Sequence, residues 1–212
     1  MRGGAIAAGF PFGGLVLATA WWFVLFSPWT APVVRFWWGM LFATGSLLAY
    51  SAWLLRRQWH TVLQLNWRNV LLGVTSAIVL YGIFWLGHTV LLLLAPESRD
   101  AIAAVYQRRQ EAPPWLLALL LGLWIGPAEE IFWRGVLQRA LQQRIHRIAA
   151  LVLATALYSL VHAWSGNLPL LLAAFTAGLL WGALFAWTGS LVPGIISHGL
   201  WDILVFVVAP FQ

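Results

Sequence analysis

Apolar residues fall in seven long runs, at about 10–27, 32–55, 70–94, 114–137, 148–165, 168–188 and 191–209, and the stretches between them hold most of the charge. A helix rises 1.5 Å per residue and needs about 20 apolar residues to cross roughly 30 Å of hydrocarbon. The pattern therefore predicts an all-α, polytopic transmembrane bundle of about seven spans. The first run ends in Trp21-Trp22-Phe23 and has no small-x-small cleavage site, so it reads as a retained anchor following Arg2 rather than a removable leader.

Two connectors have interfacial character. Residues 56–69 interleave arginine with Trp59 and Trp67, as a headgroup-level stretch does. Residues 96–112 hold Glu97, Asp100 and Glu111 beside Arg99, Arg108 and Arg109, which predicts a surface helix starting near Ser98 and stopped by Pro113-Pro114. It serves either as a solvated connector or as a lid over a site below it.

Composition agrees with a membrane solvent: 62% of the residues are hydrophobic and 8% charged. The net charge of +6 is carried by arginine alone, mostly outside the apolar runs, where it orients spans. Nucleic acid is not an expected partner. Arg56, Arg57 and Arg68 in one loop and Arg139, Arg144 and Arg147 in another predict a cytoplasmic amino terminus in a bacterial-type inner or plasma membrane. Cysteine is absent, which removes disulfides and thiolate chemistry. The chain divides into residues 1–111, amino-terminal membrane helices and connectors, and residues 112–212, where the polar groups gather.

Only six carboxylates are present, and two of them, Glu129 and Glu130, stand side by side within an apolar run. A charge at bilayer depth costs about 2.5–3.5 kcal/mol on insertion scales, so it faces a bundle interior or wet cavity and has a task there. Glu130 and Arg134, four apart, share a helix face and can pair. Glu129 is turned about 100° away and keeps no such partner, which makes it the candidate reactive acid. Tyr158-x-x-x-His162 and His198-x-x-x-Asp202 repeat the helical spacing in two later runs.

Together these residues can hydrolyse an amide. Glu129 with His162 can deprotonate a water, and His198 with Asp202 can hold the developing oxyanion. Glu129, His162, His198 and Asp202 can instead be read as zinc ligands. A third reading keeps the polar groups but not hydrolysis, using them for peptide binding, immunity to a peptide, or proton relay. One difficulty is depth: in straight upright helices Glu129 and His162 would miss each other by roughly 10 Å. Tilt, a kink at Pro127, or an oblique helix over 128–145 would close that gap.

The order Glu-Glu-x-x-x-Arg, aromatic-x-x-x-His, His-x-x-x-Asp across successive apolar helices, with Phe132-Trp133-Arg134-Gly135 following the glutamates, resembles the CPBP (Abi) family of intramembrane endopeptidases, the CAAX proteases and bacteriocin-processing proteins. The resemblance covers about residues 112–208. It implies that Glu129 and His162 activate water, that Glu130 and Arg134 support the site, and that His198 and Asp202 bind the oxyanion, without a catalytic metal. Tyr158 replaces the family's usual phenylalanine, and Asp202 replaces the asparagine of the prenyl proteases. The implied substrate is a peptide or membrane-anchored precursor.

Other features have structural readings. Gly178-x-x-x-Gly182, followed by Ala186, is a small-residue stripe for close helix packing, within the bundle or in a homo-oligomer. His88 has no acidic neighbour and is left out of the site; His60 and His146 fall in loops. The sixteen tryptophans suit interface belts.

Overall fold

The computed structural model describes residues 10–211; Arg2 and the outermost ends of the two parts of the chain lie outside them. Seven apolar helices correspond one to one to the seven runs: α1 (Phe12–Phe26), α2 (Phe36–Leu55), α3 (Trp67–Leu94), and, after a polar connector, α5 (Pro114–Gln142), α6 (Arg147–Ser165), α7 (Leu168–Thr188) and α8 (Val192–Val208). The connector carries α4 (Ser98–Gln107), the surface helix that the charges around Ser98 predict. Five of the seven are long and apolar enough to cross a bilayer, and α1 and α8 are shorter apolar helices. No strand occurs among the described residues. The protein is an all-α integral membrane protein.

Local chemistry sets the helix ends. Asn66 and Asn167 cap α3 and α7 by accepting the amide N–H groups of Asn69 and Leu170 at 2.9 Å. Gly166 and Gly189 close α6 and α7 with φ of 63° and 69°, the left-handed conformation that glycine adopts without a Cβ clash. The expected interfacial stretch after α2 contains one helical turn, Trp59–Val62, before α3 begins.

At the centre of the bundle stands α5, whose residues 128–138 are all buried. It packs on α2, α6 and α8. Its contact with α8 is backbone to backbone: a Cβ on Gly199 would come within 2.7 Å of the carbonyl oxygen of Gly122. Pro127 lies between two stretches of wider π-helical winding, Leu120–Ile125 and Ile131–Gln138. Such segments mark departures from straight α geometry at functional positions. Tyr158, one turn before His162, reaches Glu129 directly, so the depth gap expected of straight upright helices does not separate these two turns.

The small-residue stripe of α7 packs inside the bundle. A Cβ on Gly178 would lie 3.0 Å from Thr155 and 3.2 Å from Tyr158, so glycine lets α6 and α5 approach the α7 backbone. The exposed carbonyls are used: Arg134 donates to Gly178 at 3.2 Å and Gln138 to Gly182 at 2.8 Å.

Candidate active site

The ion pair expected from i, i+4 spacing is present and buried. Arg134 Nη1 lies 2.8 Å from Glu130 Oε1, with both side chains at most 3% exposed. The guanidinium is further sandwiched, 4.8 Å from the Tyr158 ring and 5.4 Å from Trp181. Each charge thus has partners that offset its desolvation.

Glu130 also binds His198, which its sequence spacing does not suggest. Nδ1 of His198 is 3.0 Å from Glu130 Oε1, and Nε2 is 3.5 Å from Asp202 Oδ2. The imidazole stacks on Trp181 at 3.7 Å between centroids, and Trp181 in turn donates its indole N–H to Ser197 at 3.2 Å. Trp181 therefore fixes the plane of His198, and Glu130 fixes its rotation.

Glu129 is 4% exposed and stands apart from this network. Its Oε2 accepts the Tyr158 hydroxyl at 2.9 Å, the one side-chain hydrogen bond it makes among the described residues. The extra hydroxyl at position 158 therefore touches the candidate acid itself.

His162 is held at both nitrogens. Trp22 donates its indole N–H to Nε2 at 3.0 Å, and Nδ1 lies 2.9 Å from the Tyr158 carbonyl oxygen. A donor at Nε2 requires a lone pair there, so the proton sits on Nδ1 and is donated to that carbonyl. Trp22 comes from α1 and is completely buried, an exception to the belt reading of the tryptophans, as are Trp133 and Trp181. Nothing in the apolar pattern of the first run distinguishes it from its neighbours.

Glu129, Tyr158, His162, His198 and Asp202 all line one cavity of about 730 Å³. Residues 102, 105 and 106 of α4 and 84, 88 and 91 of α3 form its other side. His88, left out of the site on sequence grounds, lines this cavity, and so does α4, whose charges allowed either a connector or a lid. The helix and the turn after it are tied down by three hydrogen bonds: Asn167 to the Ala101 carbonyl at 2.6 Å and the Phe211 amide to the Tyr106 hydroxyl at 3.3 Å within α4, and Trp37 to the Arg108 carbonyl at 2.8 Å just past it. Trp201 brings an indole N–H that is buried without a partner to the same wall.

The four side chains read as possible zinc ligands are each engaged by protein groups in this arrangement. Both nitrogens of His162 are taken by protein groups, Nδ1 of His198 is taken by Glu130, and no three His, Asp or Glu side chains group as metal ligands among the described residues. The cavity thus holds the Glu129 carboxylate, an oriented imidazole and a second carboxylate, the parts that general acid–base chemistry requires.

Residues 111–204 match the family described as type II CAAX prenyl endopeptidase, Rce1-like. The match coincides with the region that carries the Glu-Glu, Tyr/His and His/Asp motifs, and agrees with the CPBP resemblance. No curated protein and no solved structure matches the chain.

Proposed function

We propose, from the premise that residues 111–204 carry the sequence of an intramembrane CAAX-type endopeptidase family, that this protein hydrolyses a peptide bond of a membrane-associated or peptide precursor with a glutamate-activated water. The observation that supports this reading is the convergence of Glu129, His162, His198 and Asp202, from three helices, on one cavity beside a buried ion pair.

In this mechanism Glu129 takes a proton from water as the water oxygen adds to the scissile carbonyl carbon. His162 accepts a hydrogen bond from that water at Nε2, in exchange for the indole of Trp22. The tetrahedral oxyanion is held by His198, oriented by Glu130 through Nδ1 and presenting Nε2–H beside Asp202. On collapse the C–N bond breaks, and Glu129 returns its proton to the leaving amine. Glu130 and Arg134 do not touch the substrate; they hold His198 and the α5–α7 contact in place. The cytoplasmic amino terminus expected from the arginines puts α4 on the opposite face of the membrane.

The test is incubation of the purified protein with a membrane-anchored precursor, with products identified by mass spectrometry in the presence and absence of a chelator. Internal cleavage that survives the chelator is expected. Absence of any cleavage contradicts the peptidase reading, and loss on chelation contradicts its metal-free form.

A further inference from the structure

A second cavity of about 560 Å³ lies against α4. It is bounded by the last turns of α3, by α4 and the turn that follows, and by the first turn of α5. Arg99 and Arg109 line it, together with Gln107, Gln110 and the imidazole of His88. Leu92, Ile102 and Leu117 form an apolar wall.

The charges in this pocket are unbalanced. Arg108, next in sequence to Arg109, pairs with Glu111 at 2.7 Å, whereas neither Arg99 nor Arg109 has an ion-pair partner among the described residues. Glu97 and Asp100 are exposed and do not line the cavity. Two guanidinium groups therefore face one concave space with no carboxylate in it, and guanidinium groups match phosphate oxygens in geometry and charge.

Position identifies the source of the anion. The pocket lies where α3 ends and α5 begins, and the neighbouring Leu93, Leu94 and Trp115 are 76%, 81% and 65% exposed, as lipid-facing groups at a bilayer boundary are. A ligand entering here brings its head to the arginines and its tail to the apolar wall. Arginine pairs at a bilayer boundary have this chemistry toward phosphate head groups. We propose that the pocket binds the phosphate of an anionic membrane phospholipid through Arg99 and Arg109, with an acyl chain along Leu92, Ile102 and Leu117.

The consequence reaches the candidate active site. No residue of α4 is buried, and the wall formed by His88, Tyr106 and Phe206 is shared between the two cavities. A lipid held by Arg99 on α4 and Arg109 in the turn after it fastens the helix that borders the catalytic space. The inference does not depend on the peptidase reading, because it concerns binding alone.

The experiment is native mass spectrometry of full-length protein extracted from phosphatidylcholine vesicles made with and without phosphatidylglycerol, comparing wild type with Arg99→Gln/Arg109→Gln. Arg56→Gln/Arg57→Gln, two exposed arginines outside the pocket, controls for net charge. Wild type and the control should retain phosphatidylglycerol. The pocket variant should retain it about 30-fold less well, at roughly fivefold for each arginine, with an unchanged circular dichroism spectrum. Excess inorganic phosphate should leave the retained lipid in place. Equal retention by the pocket variant, equal loss in the control, or displacement by inorganic phosphate would overturn the proposal.

Discussion

Tyr158 gives its hydroxyl hydrogen to Oε2 of Glu129 at 2.9 Å, while its backbone carbonyl receives Nδ1–H of His162 at 2.9 Å. One residue thus orients both the proposed acid and the proposed imidazole. Its ring is packed on Trp133 and Arg134, so phenylalanine fits the same space. Tyr158→Phe should lower kcat about tenfold, the worth of roughly 1.5 kcal/mol for a hydrogen bond to a charged group, with little change in KM. Steady-state cleavage kinetics check this; an unchanged kcat would separate the hydroxyl from the chemistry.

Trp22 and His162 stand 140 positions apart and are joined at 3.0 Å. The indole holds the Nε2 lone pair that the proposed mechanism lends to water. Trp22→Phe should cost about 1 kcal/mol of stability, seen as a lower thermal midpoint, and leave kcat within about fivefold of wild type. His162→Phe should abolish cleavage. A collapse of kcat in Trp22→Phe without loss of fold would instead make the indole part of the catalytic machinery.

Gly178 is where α7 meets the site from behind. Alanine there would press a methyl group within 3.0 Å of Thr155 Cγ2 and 3.4 Å of Arg134 Nη2. Gly178→Ala should lose roughly 1–3 kcal/mol by overpacking. Thr155→Ser deletes the methyl group it meets, so the double variant should recover part of the loss, a non-additivity that thermal unfolding of the four proteins measures.

The bilayer made most of the fold legible. Helices in hydrocarbon must satisfy their own backbone, so the seven apolar runs translate directly into seven helices, and Ser98 with Pro113-Pro114 bounds the surface helix. Within the site, the Glu130–Arg134 pair and the proximity of His198 to Asp202 follow from helical spacing. Contacts between helices were not legible. Glu130 meets His198 across 68 positions, and Trp22 belongs to a run where any apolar residue would keep the pattern. That His88 lines the cavity depends on α3 lying beside α8. The π segments of α5 leave no mark in hydrophobic periodicity.

The central claim is that two adjacent glutamates have different tasks, Glu129 in proton transfer and Glu130 in holding Arg134 and His198. Parallel measurement of cleavage rate and thermal midpoint for Glu129→Gln and Glu130→Gln tests it most directly. Glu129→Gln should lose at least about 100-fold in kcat and keep its midpoint. Glu130→Gln should lose about 3–5 kcal/mol of stability, because it leaves a buried guanidinium unpaired. Cleavage at the wild-type rate by Glu129→Gln would contradict the account.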